Sequence, residues 1–445
     1  MVLPRAASEL LFSKVSTMQI QGWARTDVGR KRNHNEDTYC IEPDIGLYMV
    51  CDGMGGHASG EVASAKAVEV VRAELGKARA VVDEFQAKDT PATREKILAL
   101  VERAVNRACA EIHEMSQKEA GKAGMGTTLC MVLFAGDHGI MGHVGDSRLY
   151  VRRGESMHQL SEDHSYVTEM IKRGKMTKDE AKRSPYNNVI TRAVGIQPSV
   201  QVDTLLFDVL PGDTYLLCSD GLHGYVEDNA ELSRLLAHPD PEKLANGLID
   251  LANQRGGKDN ITALIIRARG EEGQPAADQA RVAEVNLKLE TLKKIPLFRH
   301  LTYQELVKVL NITYLQQFDA GVPVVKEGAD GEELFIILSG RVVVTKGGQE
   351  LVELHPGVHF GEMALVDQSP RSATVTARDA TRVLVIGRPQ FYQLIRKEPV
   401  LAVKLLWSFV QVLSHRLRET NEQLQGAKSE LEQAQAPFLE VDMDS

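Results

Sequence analysis

The chain has 445 residues, which is too long for one ordinary hydrophobic core and predicts two or three domains. Its net charge of −9 is mildly acidic, which argues against a general nucleic-acid-binding protein. Hydrophobic residues make up 43% of the chain and charged residues 25%, as in ordinary globular proteins.

From its composition, the N-terminal segment is expected to be neither a secretory signal nor a membrane span. Residues 1–17 carry one early arginine and a short apolar patch that Glu9 interrupts. We therefore expect a cytoplasmic protein without a membrane partner. The five cysteines show no Cys-x-x-Cys spacing and several lie in apolar runs, which indicates small buried side chains in a reducing compartment.

The next part of the chain, residues 18–269, mixes strand and helix patterns. Apolar side chains at helical spacing occur in residues 61–75 and 97–115. Apolar runs of strand composition recur at residues 19–25, 38–42, 47–51, 126–134, 139–144, 215–218 and 261–266. Together these patterns predict a sheet covered by helices.

Four of these apolar runs have an aspartate at or near one end: Asp52, Asp146, Asp220 and Asp259. Glycines after Asp52 predict a sharp turn, where the unshielded Gly53 carbonyl could offer a second oxygen to a cation. The alternative at this position is an ordinary Asp-Gly hairpin turn. Four carboxylates at strand ends indicate a converging cluster, and carboxylates without His or Cys partners favour Mg²⁺ or Mn²⁺.

Two such ions about 3.5–4 Å apart would activate a water and neutralise charge on a phosphate ester. Arg32 is the candidate to hold that phosphate bidentately, and the alternative is a surface arginine paired with Glu36. A basic helical segment, residues 165–188, is either a solvated helix face or a surface that gathers phosphorylated substrate.

The motifs of residues 18–269 resemble, in order, those of bacterial metal-dependent (type 2C) serine/threonine protein phosphatases. Eight motifs carry the resemblance: Arg32-x-x-Asn35-Glu36-Asp37, Asp52-Gly53-Met54-Gly55-Gly56-His57, Gly126-Thr127-Thr128, Gly145-Asp146-Ser147-Arg148, Asp163-His164-Ser165, Ile190-Thr191-Arg192-Ala193-Val194-Gly195, Ser219-Asp220-Gly221 and Asp259-Asn260. The resemblance implies a β-sandwich of two antiparallel sheets flanked by helices.

The resemblance also implies which residues hold the metal ions. Asp52 would bridge both ions, and Asp220 and Asp259 would hold one of them. Glu36 and the Gly53 carbonyl would hold the other. Two ions, Mn²⁺ or Mg²⁺, are therefore expected, with a third as a further option.

The remaining roles come from the same resemblance. Asp37 would orient a water, Asp146 would match the third metal site of bacterial members, and residues 165–188 would form a mobile flap. Met54 stands where eukaryotic relatives have a histidine proposed as general acid. The proton donor to the leaving oxygen is therefore left open between His57 and a metal-bound water.

Beyond a linker at residues 270–279, short strand-like runs alternate with glycine turns and predict a small barrel or jelly roll. A short helix starting near Gly361, together with Arg371, could form a phosphate pocket in which Glu362 accepts from a ribose hydroxyl. From chemistry alone, an ordinary barrel with a Glu362–Arg371 salt bridge is an equal alternative.

Residues 287–418 resemble cyclic-nucleotide-binding domains of the catabolite-activator and protein-kinase-regulatory-subunit kind, and we place this domain at residues 280–418. The resemblance rests on Phe360-Gly361-Glu362-Met363-Ala364-Leu365 and on Ser369-Pro370-Arg371-Ser372-Ala373-Thr374-Val375. It implies a β-roll with a long C-terminal helix, and nucleotide contacts from Gly361, Glu362, Ala364, Arg371, Ser372 and Ala373. Serine after the arginine, as in the catabolite activator, favours cAMP over cGMP.

The chain closes with a helical pattern from residue 399 onwards. Apolar residues in steps of four and three predict a heptad seam, which extends through residues 419–435 and suggests a parallel homodimer. The strongly apolar first half could instead pack on its own barrel. Residues 436–445 form an acidic tail that we expect to be disordered. No helix-turn-helix follows, so no nucleic-acid partner is expected.

The favoured hypothesis is a metal-dependent α+β enzyme that hydrolyses phosphoserine and phosphothreonine in proteins and responds to a cyclic nucleotide. A serine/threonine kinase is expected to oppose it. The alternative is a cyclic-nucleotide receptor or scaffold whose phosphatase-like domain is inactive. Because degenerate members would be expected to lose metal carboxylates, the presence of Asp52, Asp220 and Asp259 disfavours that alternative.

Overall fold

The computed structural model describes residues 18–55, 59–270 and 275–439. It divides into two compact units, with the boundary between Ala283 and Glu284. Each unit contains its own sheets and buried core, and we describe each by itself.

The first unit contains two antiparallel sheets. Its strands are β1 (Gln19–Asp27), β2 (Asp37–Glu42), β3 (Leu47–Met54), β4 (Gly126–Thr127), β5 (Leu129–Ala135), β6 (His138–Val144), β7 (Arg148–Arg153), β8 (Ser156–Gln159), β9 (Asp203–Asp208), β10 (Thr214–Cys218) and β11 (Ile261–Arg269). One sheet has the order β1-β11-β10-β7-β8 and the other β2-β3-β5-β6-β9, with β4 paired to β3.

The helices of this unit are α1 (Gly60–Lys77), α2 (Arg79–Ala87), α3 (Pro91–Lys118), α4 (Tyr166–Lys172), α5 (Lys178–Arg183), α6 (Asp220–His223), α7 (Asn229–Leu236) and α8 (Pro241–Gln254). Helices α1 and α3 pack on the sheet that contains β3, and α7 and α8 pack on the sheet that contains β10. Short 3₁₀ helices occupy Pro43–Ile45 and Ala120–Lys122.

The two sheets face each other, and aromatic side chains lie between them. The Phe134 ring on β5 lies 5.5 Å from the Tyr48 ring and 5.6 Å from the Tyr215 ring on β10. On β3, Met49 and Cys51 point the other way, into the core under α1. Because neighbouring residues of a strand alternate between faces, strands covered on both sides are apolar throughout. This arrangement confirms the predicted sandwich.

Two details of the predicted strands are wrong. The chain does not turn after Asp52, and no Asp-Gly hairpin forms, because Gly53 continues β3 and pairs with Thr127. The predicted strand at residues 126–134 is interrupted at Thr128, which bonds to Asp52 instead: the Asp52 amide donates to Thr128 Oγ1 at 2.9 Å. Both departures place Asp52 inside the sheet.

The helical segment that was expected to be a flap, residues 165–188, forms two short helices. Helix α4 begins after Ser165, whose hydroxyl accepts from the Thr168 amide, and α5 begins after Thr177 with a reciprocal capping box. Two of its basic side chains are paired with acids, Lys172 with Glu162 and Arg173 with Glu169.

All five cysteines lie in the described part of the chain, and all are buried: Cys40, Cys51, Cys109, Cys130 and Cys218. Burial raises the pKa of the Cys40 thiol to about 11 and that of the Cys218 thiol to about 12. The prediction that they are small buried side chains is confirmed.

Helix α9 (Pro275–Lys294) spans the boundary between the units and includes the last residues of the predicted linker. The second unit continues with a 3₁₀ helix (Pro296–Phe298), α10 (Tyr303–Leu310), β12 (Thr313–Phe318), β13 (Pro323–Val325), β14 (Glu333–Ser339), β15 (Val342–Lys346), β16 (Gln349–Leu354), β17 (His359–Phe360), a 3₁₀ helix (Glu362–Leu365), β18 (Thr374–Ala377), β19 (Thr381–Gly387), α11 (Arg388–Lys397) and α12 (Pro399–Leu439).

The strands of the second unit form two four-stranded antiparallel sheets, ordered β12-β19-β14-β17 and β13-β18-β15-β16. Apolar side chains from both sheets make one core, which includes Phe335, Ile337, Val342 and Val375. This is the predicted β-roll followed by a long helix.

Helix α12 presents two different apolar faces. Leu401, Leu405 and Phe409 are buried in the second unit. The predicted heptad seam lies largely on the other face, where Leu406 and Leu417 are 59% and 63% exposed. By length and composition alone, the segment Pro399–Glu430 could also cross a bilayer, which for a single helix is only a weak indication of a membrane span.

Candidate metal centre and nucleotide pocket

The aspartates singled out in the first unit come from different elements and converge. Asp37 and Asp52 are cross-strand neighbours on β2 and β3. Asp220 is the first residue of α6, and Asp259 lies just before β11. Asp52 is partly buried, and the charges of Asp37, Asp220, Asp146 and Asp259 all act on it. The sandwich therefore brings the predicted carboxylates into one electrostatic cluster.

Burial and mutual repulsion disfavour the charged form of these carboxylates. Burial, followed by the charge of Asp37, raises the pKa of Asp52 well above its ordinary value. Burial also raises the pKa of Asp146 to about 8, with a further contribution from Asp220. The pKa of Asp220 rises to about 6 through burial and the nearby Asp259. A positive ion in this cluster would relieve the repulsion.

Asp37 is held by two hydroxyl groups. Its Oδ2 accepts from Ser219 Oγ at 2.8 Å and from Thr262 Oγ1 at 2.6 Å. Burial nevertheless raises its pKa to about 7, against the lowering effect of these two bonds. The other oxygen, Oδ1, is buried without a hydrogen-bond partner, as is Asp220 Oδ1. Such atoms are suited to accept from a water or to bind a cation.

Glu36 and Gly53 lie together at the start of α1. The Gly53 amide donates to the Glu36 carbonyl at 3.1 Å, and Ser64 Oγ donates to the same carbonyl at 2.6 Å. A Cβ on Gly53 would lie 2.1 Å from the Gly60 carbonyl oxygen, and one on Gly60 would lie 2.7 Å from Glu36 Oε1. Only glycines at these two positions allow the start of α1 to lie this close to β3 and to the Glu36 carboxylate.

The donor set suits a hard divalent cation such as Mg²⁺ or Mn²⁺. Its oxygens are carboxylate and carbonyl groups, and the unpaired Asp220 Oδ1 is available for binding. In the described ranges, no three His, Cys, Asp or Glu side chains lie close enough to hold one ion by themselves. Bound ions would therefore need water and backbone oxygens as well, as is usual for Mg²⁺.

Arg32 is at the edge of this cluster. Its Nη2 donates to Asp259 Oδ2 at 2.8 Å, and this bond raises the pKa of the Arg32 guanidinium. The alternative that Arg32 pairs with Glu36 is wrong. The Arg32 side chain is 50% exposed, so it can reach a ligand outside the cluster. His57, the other candidate proton donor, lies outside the described residues.

A polar network behind Asp146 has no role assigned from the sequence. His164 Nδ1 accepts from the Gly145 amide at 3.1 Å, and its Nε2 lies 3.1 Å from Asp203 Oδ2. Arg192 bonds to Asp203 at 2.9 Å. The motifs that contain His164 and Arg192 were recognisable, but their partner Asp203 lies in a plain strand. This network fixes the turn that carries Asp146.

Ser219 and Thr262 were also missed as partners of Asp37. Ser219 directly precedes Asp220, and Thr262 lies two residues after Asn260. The available sequence signal was that each of these two residues stands next to a motif. This signal could not identify their hydrogen bonds to Asp37, because Ser219 and Thr262 lie 182 and 225 residues from Asp37 in the sequence.

In the second unit, both residues expected to recognise a nucleotide already have protein partners. Arg371 Nη2 donates to Glu333 Oε2 at 3.0 Å, and Arg371 Nη1 donates to the Glu333 carbonyl at 2.9 Å. Glu362 is buried and accepts from Arg416 on α12. The alternative Glu362–Arg371 salt bridge is therefore wrong.

The other expected contact residues surround these pairs. Gly361 has a φ of +79° and begins the turn into the 3₁₀ helix, and Ala364 is buried within that helix. Ser372 and Ala373 follow Arg371 and lead into β18. An adjacent cavity of about 430 Å³ is lined by Arg371 but not by the other five expected contact residues.

Metal-free protein is expected to become less stable as the pH rises from about 6.5 to about 8. The folded pKa values of Asp37 (about 7) and Asp146 (about 8) exceed their unfolded values near 4, so the folded state keeps protons that the unfolded state has lost. Below about pH 6.5 the buried His143 and the partly buried His223, whose pKa values are lowered by desolvation, oppose this trend.

The measurement is the melting temperature at pH 6.5 and pH 8, in EDTA and in Mn²⁺. We expect a fall with pH of about 5 °C in EDTA and a much smaller one in Mn²⁺. A melting temperature that rises with pH in EDTA would contradict the mutual repulsion of these carboxylates.

Both units match known families. Residues 30–251 match the family described as protein phosphatase 2C, and residues 315–398 match the cyclic nucleotide-binding domain. The serine/threonine phosphatase stp of Listeria monocytogenes is 35% identical over 257 residues, which are 57% of this chain and 98% of that protein.

Two solved structures with similar sequences cover 56–57% of this chain. The crystal structure of the Mycobacterium tuberculosis serine/threonine phosphatase PstP/Ppp is 33% identical, covers 56% of this chain and 99% of its own, and superposes with a TM-score of 0.50. A catalytic domain of serine/threonine phosphatase PstP in complex with two manganese ions is 33% identical, covers 57% of this chain and 100% of its own, and has a TM-score of 0.48.

Proposed function

Because this chain belongs to the protein phosphatase 2C family and is a serine/threonine protein phosphatase that carries a cyclic nucleotide-binding domain, we propose that the nucleotide regulates its activity. The substrate is a phosphoserine or phosphothreonine protein, and cAMP is the favoured nucleotide. The carboxylate cluster around Asp52 supports the catalytic half of this proposal, and the paired Arg371 and Glu362 support the regulatory half.

The proposed metal ligands are the oxygens gathered around β3. When bound, two or three Mn²⁺ or Mg²⁺ ions would supply positive charge that stabilises the phosphate group and acidifies a water. The mutually repelling carboxylates and the unpaired Asp220 Oδ1 support this assignment. The ligands we propose are Glu36, Asp52, the Gly53 carbonyl, Asp146, Asp220 and Asp259.

Asp37 and Arg32 would act on the reacting groups. With Oδ2 held by Ser219 and Thr262, the Asp37 carboxyl keeps a fixed orientation and leaves Oδ1 to accept from the attacking water. Arg32, half exposed beside Asp259, would turn towards the phosphate and bind two of its oxygens. The proton donor to the leaving oxygen stays open between His57 and a water.

Replacing Arg32 with alanine should lower kcat/KM by about 10–100-fold, mainly through KM, because a charged hydrogen bond to the phosphate is lost. The Mn²⁺ concentration needed for half activity should not rise, since Asp259 is then relieved of its arginine partner. Kinetics on a phosphothreonine peptide at several Mn²⁺ concentrations measure both effects. Lys31→Ala, an exposed neighbour, is the matched control. An unchanged KM would contradict the role of Arg32.

The regulatory proposal follows from the partners of Glu362 and Arg371. A ribose hydroxyl bound by Glu362 would compete with Arg416, and a phosphate bound by Arg371 would compete with Glu333. Because Arg416 lies on α12, nucleotide binding would change how this helix is held. A coupling free energy of about 1–3 kcal/mol is typical of such regulation. Ser372 after the arginine is the reason to favour cAMP.

Phosphate release from a phosphothreonine peptide by the full-length protein, measured with Mn²⁺ and with cAMP, cGMP or neither, tests the whole proposal. A change in rate with cAMP larger than with cGMP supports both regulation and preference. Turnover that neither nucleotide changes would refute regulation, and the phosphatase activity itself would still stand. Turnover no greater than that of Asp220→Ala would indicate the inactive scaffold instead.

Three further proposals concern the surroundings of the protein. The exposed seam on α12 supports a parallel homodimer, which a monomeric molar mass in solution would refute.

A serine/threonine kinase must produce the phosphorylated substrate. If the protein dephosphorylated no product of a serine/threonine kinase, that result would count against an opposing kinase. A cytoplasmic location is proposed from the sequence and would be refuted by recovery in the membrane fraction.

A further inference from the structure

Glu333 holds the arginine that is expected to bind the nucleotide phosphate. The Arg371 side chain is 7% exposed, whereas the Glu333 side chain is 39% exposed. Glu333 accepts from Arg371 twice, through its carboxylate at 3.0 Å and its main-chain carbonyl at 2.9 Å. The Glu332 amide also donates to the Glu333 carboxylate at 3.0 Å, which fixes its position.

The guanidinium is confined, and it still has donor capacity. A Cβ on Gly331 would lie 2.4 Å from Arg371 Nε, and one on Gly361 would lie 2.8 Å from Nη1. The Phe335 ring covers one face at 5.6 Å from Arg371 Cζ. Arg371 Nε is buried and has no hydrogen-bond partner. An incoming anion that accepts bidentately from Nε and Nη2 would use this free donor and would compete with the Glu333 carboxylate for Nη2.

We infer that Glu333 is an internal competitor for Arg371 and that it sets the affinity for the cyclic nucleotide. This inference rests on the proposed nucleotide binding. A carboxylate and a phosphodiester both accept bidentately from a guanidinium, so they compete for the same donors. Two anions beside one buried arginine would also repel each other.

The exposed fractions of the two side chains indicate whether Arg371 or Glu333 moves when the nucleotide binds. The Arg371 side chain is 7% exposed and packs against the backbones of two glycines and the Phe335 ring, so it has less room to move than Glu333. Glu333 lines the adjacent 430 Å³ cavity together with Lys326, and more than a third of its side chain meets solvent. Nucleotide binding therefore displaces the Glu333 carboxylate into the cavity or the solvent, and the free energy of this displacement is subtracted from the affinity.

The test is isothermal titration of the full-length protein with cAMP and with cGMP, comparing wild type with Glu333→Gln. Glutamine keeps the shape but removes the negative charge, so we expect the affinity to rise roughly tenfold or more. Glu332→Gln is the matched control, because Glu332 is the adjacent residue, is 55% exposed and pairs with Arg388 instead. Its affinity should equal that of wild type.

A gain in affinity separates competition from a structural role, since damage to the fold would only weaken binding. Equal or weaker binding by Glu333→Gln, in a wild type that binds, would overturn the inference and leave the nucleotide proposal in place. The same gain in Glu332→Gln would also overturn it, since the effect would then be general charge. Absence of binding in every variant, with phosphatase activity retained, would overturn both proposals.

Discussion

Replacing Asp52 with asparagine is expected to lower kcat/KM for a phosphopeptide by about 10³-fold or more, and also to stabilise the metal-free protein. Asp52 interacts electrostatically with all the other aspartates of the cluster, so its loss should remove metal binding at both proposed positions. The same change replaces a carboxyl group whose ionisation is disfavoured by burial and by the charges of Asp37 and Asp220, so the folded state no longer has to take up a proton at this position. We therefore expect the melting temperature in EDTA to rise by about 5 °C.

Both effects can be measured on one preparation. Phosphate release at saturating Mn²⁺ gives the activity, and thermal melting in EDTA and in Mn²⁺ gives the stability. In the variant, Mn²⁺ should no longer raise the melting temperature as it does in wild type. Asp250→Asn, an exposed position on α8, is the matched control and should change neither quantity. Activity within tenfold of wild type would refute the central position of Asp52 in the metal site.

The second large effect is expected at the nucleotide pocket. Replacing Arg371 with glutamine should weaken cAMP binding by about 100-fold or more, because the buried guanidinium is the donor proposed for the phosphate. Any response of the phosphatase rate to cAMP should disappear at nucleotide concentrations that saturate wild type. The phosphatase rate without nucleotide is measured in parallel as a check on the first unit, because the carboxylate cluster lies in that unit and Arg371 lies in the second.

Arg378→Gln provides the control for this variant. Arg378 is also an arginine of the second unit paired with acids, but its side chain is 49% exposed and its partners are Glu350 and Glu353. It should bind cAMP as wild type does. Melting curves check that the Arg371 variant is folded. A folded Arg371→Gln protein with unchanged cAMP affinity would place the nucleotide elsewhere.

The sequence predicted the secondary-structure elements better than it predicted which residues contact each other. Hydrophobic periodicity is local, and it located α1, α3 and most of the strands that it predicted to within a few residues. The turn expected after Asp52 was wrong because a distant residue decides it: Gly53 pairs with Thr127, and this keeps the chain extended. Local turn preference was overridden by strand pairing.

The same limit applies to the candidate sites. The motif residues were recognisable, since each stands in a characteristic order. Their partners were not, because Glu333 is one acid among several in a polar segment and Arg416 one base on a long helix. Only the fold brings Glu333 to Arg371 across 38 residues and Arg416 to Glu362 across 54. Neither pairing has a local signature.

The burial of every cysteine gives a practical route to the motion that regulation requires. All five thiols lie within the described residues, are inaccessible and have pKa values raised by burial, so alkylating dyes should leave the native protein unmodified. If one cysteine is introduced on the exposed surface of each unit, only these two positions should be labelled. The natural cysteines would not have to be removed first. Resonance energy transfer between the two dyes would show directly whether cAMP changes the distance between the phosphatase and its nucleotide-binding domain.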